Sequence, residues 1–149
     1  MKVIFVCSNG GHLLQLFQLR ECVPGDEQIW VTFPTLDAKS ILKGKNVVYA
    51  YYPTNRSFVN FIRNLLLAVR LIAKEKPTHV ISTGAGIAMP FFIIARMFGI
   101  KTCFIESFAR VFTPSLSGRL CYRLSTRFIY QWKELENKYP RGQFGGSIY

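Results

Sequence analysis

The chain has 149 residues, half of them hydrophobic and only eight acidic, which is enough to bury a real core and rules out disorder. Nineteen Lys and Arg give a net charge of +11, a balance that favours nucleic acid, anionic lipid or phosphorylated ligands as partners. The longest uninterrupted apolar run, residues 86–95, contains a proline and ends at Arg96, far short of a membrane span, and too few apolar residues precede the first polar turn to form a signal peptide.

In chain order, Val3–Cys7 is a β-branched and aromatic run of the kind that makes a buried parallel strand. Ser8-Asn9-Gly10-Gly11 breaks it, and from His12 the leucines at 13, 14, 16 and 19 recur with Phe17 at helical spacing. A strand that enters a helix through a Gly-Gly turn leaves backbone N–H groups at the helix start, and with the helix dipole these make an anion site. The alternative is a plain turn in which the glycines only let the chain reverse. Residues 21–27 read as a polar turn, 28–33 as a second strand, 35–42 as a short helix with Asp37 and Lys39 on its exposed side, and 46–52 as a third strand closed by Pro53. Residues 57–76 form the longest helical pattern, ended by Pro77, and 78–82 a fourth strand. A second glycine turn, Thr83-Gly84-Ala85-Gly86, follows. Then come an apolar helix at 87–98, a strand at 101–105, a helix at 115–124, a strand at 127–131 and a last helical turn at 133–138. No repeat, linker or low-complexity segment interrupts the pattern.

Strands alternating with helices imply an α/β fold with a Rossmann-like, doubly wound parallel sheet in one domain spanning 1–149. In the strand order 3-2-1-4-5-6, strands one and four are neighbours at the switch point, where ligands bind beyond the carboxyl ends. The two glycine turns follow those two strands and are therefore expected to face each other across one crevice. Several familiar chemistries are absent. Gly-x-Gly-x-x-Gly is missing and no acid stands at Phe33-Pro34-Thr35, which argues against a dinucleotide. Cys7 lacks the arginine six residues on that a phosphatase loop needs, since Leu13 stands there. Cys7, Cys22, Cys103 and Cys121 have no metal-type spacing and read as reduced thiols, so neither a metal nor a cofactor is called for.

The charge is uneven. Residues 1–55 carry a balance of +1 and residues 56–149 a balance of +10, in the greasier part of the chain. On helix 57–76, at 100° per residue, Arg56, Arg63, Arg70 and Lys74 fall within about 20° of one line. Val59 and Leu67 lie about 40° from that line and Leu66 about 60°. Core packing alone would leave these three exposed. The helix therefore suits an anionic membrane interface or a partner subunit, or else it is sandwiched within the domain.

Residues 104–132 carry a family likeness: Phe-Ile-Glu-Ser-Phe-Ala-Arg-Val, then Ser-Leu-Ser-Gly-Arg-Leu-Cys-Tyr, then Arg-Phe-Ile-Tyr-Gln-Trp. With Ser-Asn-Gly-Gly-His at 8–12 and Ser-Thr-Gly-Ala-Gly at 82–86, the chain resembles, over nearly its whole length, the asparagine-linked glycosylation protein fourteen family and its bacterial PssD-type capsule and exopolysaccharide relatives. More distantly it is similar to the N-terminal half of the peptidoglycan transferase MurG. The resemblance implies the acceptor half of a GT-B glycosyltransferase. Such a subunit would recruit to the membrane an inverting, two-chain enzyme that moves a sugar from a UDP-sugar to an undecaprenyl-diphosphate-linked acceptor, and it would be nearly inactive alone. The donor-binding domain is then expected on a separate, PssE-like chain that shares the UDP-sugar. The expected location is peripheral, on the cytoplasmic face of the plasma membrane. The family's eukaryotic members carry a membrane-spanning N-terminal helix ahead of this core. Without one, helix 57–76 (Arg56, Val59, Arg63, Leu66, Leu67, Arg70, Lys74) is the expected membrane contact.

Such an acceptor needs a phosphate cradle, for which Ser8, Asn9, Gly10 and Gly11 and Thr83, Gly84, Ala85 and Gly86 offer backbone N–H donors. Fixed positive charge would come from Arg110, Arg119 and Arg123. An inverting transfer also needs a base for the acceptor hydroxyl: His12, at a helix start that disfavours the imidazolium, or Glu106, at the end of the fifth strand. Otherwise His12 is a capping or nucleotide-contacting residue, and Glu106 a structural acid paired with Arg110. The competing class is a basic nucleic-acid- or phospholipid-binding module without a catalytic role. A nucleic-acid binder would expose aromatics among its basic residues. Here most aromatics fall inside strands and helices, so no nucleic-acid partner is expected. A complete small nucleotide-sugar enzyme would need a longer chain.

Overall fold

The computed structural model describes all residues, Met1–Tyr149. Its centre is a seven-stranded sheet, every neighbouring pair parallel, in the order β3-β2-β1-β4-β5-β6-β7. The strands are β1 Lys2–Cys7, β2 Glu27–Thr32, β3 Asn46–Tyr49, β4 His79–Gly84, β5 Lys101–Ile105, β6 Arg127–Tyr130 and β7 Gln143–Phe144. The helices are α1 Gly11–Leu19, α2 Leu36–Ile41, α3 Phe58–Glu75, α4 Ala88–Met97 and α5 Leu116–Tyr122, with 3-10 turns at Arg20–Cys22 and Lys133–Leu135. The expected α/β fold and the order of the first six strands are present. β7 was not foreseen: two residues among glycines carry no periodicity to read.

Alternation along β1 divides the molecule into two layers. Ile4 and Val6 face α3, α4 and α5 in the larger core, with Phe91, Phe92, Phe104 and Phe128, whereas Val3, Phe5 and Cys7 face α1 and α2 around Trp30. Phe5 stacks on Trp30 at 4.5 Å between ring centroids. Burial on both faces is why β1 reads as an unbroken apolar run. The four cysteines are free thiols. Burial pushes Cys7 far above the usual thiol range, despite the Thr32 hydroxyl beside it, and raises Cys103 to about 11 and Cys121 to about 12. Cys7 is thus a packed core thiol rather than a nucleophile.

α3 begins at Ser57, whose hydroxyl accepts the Asn60 N–H at 3.3 Å. It ends at Lys76, left-handed at φ 48°, just before Pro77. Its inward face is not purely apolar, because Asn60 and Asn64 are buried alongside Ala68, Leu71 and Ile72. Asn64 clamps Tyr51 by two 3.0 Å bonds, accepting its N–H and donating to its carbonyl, and Asn60 donates to the Pro53 carbonyl at 2.8 Å. These side chains fix the loop between β3 and α3 at the carboxyl edge of the sheet.

Candidate functional site

β1 and β4 are hydrogen-bonded neighbours, and the two glycine turns meet beyond them: the Ser8 N–H donates to the Gly84 carbonyl at 3.0 Å. His12, in the first turn of α1, closes the junction. Its Nδ1 lies 2.8 Å from the Thr83 carbonyl, and the Thr83 hydroxyl returns a 2.7 Å bond to the His12 carbonyl. A carbonyl only accepts, so Nδ1 carries the proton of the neutral ring and Nε2 keeps its lone pair. Gly84, at φ 105°, disfavours a side chain on two counts, its left-handed backbone and the tight 3.2 Å approach an added Cβ would make to the His12 ring. The loop clamped by α3 completes this wall: a Cβ on Gly86 would reach Thr54 Oγ1 at 3.2 Å.

The two turns differ as anion cradles. In the second, the Gly84 N–H is taken by Ser82 Oγ at 2.9 Å, while those of Ala85, Gly86 and Ile87 have no acceptor within the chain. α4 behind them has no side-chain cap and no acid in its first turn. In the first, the Gly10 N–H already donates to Asp37 Oδ2 at 2.8 Å. Asp37 lies 27 residues away at the start of α2, so sequence spacing gave no hint of the pairing. The Thr35 hydroxyl, close by though outside hydrogen-bond geometry, and the Gly10 N–H hold the Asp37 carboxyl below the usual carboxylate range.

Glu106 is 1% exposed, and its carboxylate collects four donors. Oε1 accepts the Ser107 N–H at 3.0 Å and the Ser115 hydroxyl at 2.6 Å, and Oε2 accepts the Ser115 N–H at 3.1 Å and the Tyr139 hydroxyl at 2.5 Å. Its backbone carbonyl accepts from the buried amides of Gln15 and Gln131. Burial, reinforced by the Glu106 carboxylate, pushes the Tyr139 hydroxyl well above the usual phenol range, so it remains a donor. The expected partner Arg110 forms no ion pair with Glu106: every ion pair in the structure lies elsewhere. Tyr139 and Gln15 carried no periodic or motif signal and were missed, and Gln131, though inside the Arg-Phe-Ile-Tyr-Gln-Trp block, was not singled out.

The basic residues divide by position. Arg110 is exposed on the loop after β5, while Arg119 and Arg123 are exposed on α5 and at its C-cap, as are Leu116 and Leu120. On α3, Arg63, Arg70 and Lys74 are exposed as expected, and Arg56 sits just ahead of the helix with φ 55°. Beside them runs a broader apolar stripe than the sequence reading gave: Phe58 (77% exposed), Val59, Ile62, Leu66 (56%) and Val69. Leu67 is a correction, half-buried and packed against the core. α3, α4 and α5 pack in one layer on the same side of the sheet, α4 between the other two, and Phe112 on the loop before α5 is exposed as well. No helix is long and apolar enough to cross a membrane.

This architecture, a parallel sheet with turns converging at the β1–β4 switch point, is that of one Rossmann-like half of a GT-B fold. MurG of Acinetobacter baumannii superposes with a TM-score of 0.74 at 16% identity, over 90% of this chain and 43% of its own. A UDP-N-acetylglucosamine 2-epimerase from Rickettsia bellii does so with 0.77 at 15%, over 99% and 45%. Residues 31–148 match the family model described as oligosaccharide biosynthesis protein Alg14 like, and the chain belongs to that family. The UDP-N-acetylglucosamine transferase subunit ALG14 of Homo sapiens is 34% identical over 93 residues, 58% of this chain and 43% of its own length. Its counterpart in Debaryomyces hansenii is 31% identical over 111 residues, 70% and 46% respectively. The chain thus spans less than half the length of these relatives.

Proposed function

We propose that this chain is the acceptor-binding, membrane-docking subunit of a two-chain inverting glycosyltransferase. The enzyme transfers a sugar, N-acetylglucosamine by likeness to the relatives, from its UDP conjugate to an undecaprenyl-diphosphate-linked acceptor in capsule or exopolysaccharide synthesis. The observation that carries the reading is the junction of the two glycine turns, where an imidazole with a free Nε2 stands beside the unbonded backbone N–H groups of the partly exposed Ala85 and Gly86. An acceptor hydroxyl needs a base at such a point, and a diphosphate needs fixed donors. The helical face supplies the rest: cations for anionic head groups, and aliphatic side chains for the bilayer boundary.

In this mechanism the acceptor sugar enters the crevice with its hydroxyl at His12 Nε2, which takes the proton as the oxygen attacks the donor's anomeric carbon and UDP departs. The donor sits on the partner chain. Arg110, exposed on the loop after β5, offers positive charge to the diphosphate, and Arg119 and Arg123 offer it to the membrane. Glu106, already saturated by four donors, holds the loop rather than serving as base. A nucleic-acid platform is the weaker reading, because exposed Phe58 and Phe112 stand among Val59, Ile62, Leu66 and Leu116, which suit hydrocarbon better than bases. The test is reconstitution: co-purification of this chain with a donor-binding chain, and transfer from UDP-N-acetylglucosamine to a polyprenyl-diphosphate-linked sugar by the pair. Failure of the pair to turn over any UDP-sugar would overturn the reading.

A further inference from the structure

Asp37 is the one acid whose carboxylate stands in a glycine turn, and nothing in the reaction above uses it. Its Oδ2 lies where a phosphate oxygen would sit at the start of α1, 2.8 Å from the Gly10 nitrogen. The N–H groups of Asn9 and Gly11 have no acceptor within the chain, but they share the turn with this charge. The second turn has no such guest: the N–H groups of Ala85, Gly86 and Ile87 have no acceptor within the chain, those of Ala85 and Gly86 belong to partly exposed residues, and the first turn of α4 is free of acids. A phosphate entering the first turn would meet a carboxylate at contact distance, whereas one entering the second meets only donors and the helix dipole.

We propose that Asp37 is a specificity-determining residue. Its carboxylate closes the first glycine turn to phosphate, so the diphosphate of the acceptor is confined to the Ala85–Ile87 turn and the first turn receives the neutral sugar. This rests on the acceptor reading above and sharpens it. The division also fits the chemistry, since the hydroxyl must reach His12, which opens α1, while the diphosphate lies at the other end of the sugar ring. The Asp37 carboxyl is held below its usual range, so it stays ionised throughout the neutral and mildly acidic range, and the exclusion is built in.

The experiment titrates sodium pyrophosphate into the isotope-labelled full chain at fixed ionic strength while amide resonances are followed. In the parent protein, Ala85, Gly86 and Ile87 should shift saturably while Asn9, Gly10 and Gly11 stay still. Asp37→Asn, which removes charge but keeps shape, and Asp37→Ala, which removes both, should open the first turn. Its amides should then respond with apparent affinity raised by roughly tenfold, as expected for losing one like charge a few ångströms from the ligand in a wet site. If Asp37→Ala loses dispersion of its spectrum, the isosteric variant decides. Equal shifts in both turns of the parent protein, or no gain in either variant, would overturn the proposal. A gain at the first turn with no response at the second in any of the proteins would sustain the role of Asp37 and sink the acceptor reading instead.

Discussion

His12 and Glu106 entered as rival bases, and the structure gives them opposite surroundings. His12 is half-buried at the crevice, with Nδ1 donating to Thr83 and Nε2 open. In the reconstituted pair, His12→Ala should lower turnover on the order of a hundredfold or more, the usual cost of losing a general base, with partner binding unchanged. Wild-type turnover in that variant would place the base elsewhere. Glu106→Gln tests something else. Each carboxylate oxygen accepts one backbone N–H, from Ser107 or from Ser115, so the amide nitrogen of a glutamine must face a donor whichever way it flips. A buried charged acceptor is lost and a donor is left unpaired, a destabilisation of about 2–4 kcal/mol. A thermal melt should show it as a clear fall in Tm. An unchanged melt would mean that the network is slack and Glu106 is available for chemistry.

At the scale of elements, α5 shows a glycine that serves packing rather than conformation. Gly118 normally would gain roughly 1 kcal/mol of helix stability on replacement by alanine. Here an added Cβ would overlap Glu106 Oε2, the Tyr139 hydroxyl and Ser115 Oγ, so Gly118→Ala should instead lower Tm, and a raised Tm would refute that packing. The outer faces of α3 and α5 make the membrane prediction. The protein should sediment with anionic liposomes, and added salt should weaken but not abolish binding, since screening removes only the charge contribution. Val59→Glu with Leu66→Glu, both on exposed positions, should cut partitioning by at least about tenfold without affecting the fold. Undiminished sedimentation would make this face a subunit contact. The basic stripe was legible because arginines seven apart align on a helix. The apolar stripe was read too narrowly, and Leu67 was misplaced, because the wheel gives angles while the core decides which of them it covers. Asn60 and Asn64, four apart among apolar residues, were a readable signal of a buried polar clamp that went unused.

For the whole molecule, hydrophobic runs and two glycine turns were enough to give the sheet order and the meeting of those turns, because parallel βαβ connections leave few topologies open. The Asp37–Gly10 and Tyr139–Glu106 bonds were not legible. They join residues 27 and 33 apart with no spacing rule between them, and only the folded chain brings them together. The same logic bears on activity. In an open α/β sheet the crevice lies outside the carboxyl ends of the strands, so one wall alone leaves a bound acceptor facing water. An inverting transfer needs the donor's anomeric carbon held in line with the deprotonated hydroxyl, a positioning worth several kcal/mol that a single wall cannot supply. Purified alone, the protein should therefore bind lipid-diphosphate acceptor yet transfer no appreciable sugar from UDP-N-acetylglucosamine. Adding the donor-binding chain should raise turnover by orders of magnitude while changing acceptor affinity little, since the proposed diphosphate donors and His12 all belong to this chain. Steady-state assays with each chain alone and with the two mixed would read this directly. Robust transfer by this chain in isolation would sink the two-chain reading, and acceptor binding that appears only in the mixture would move the acceptor site into the interface.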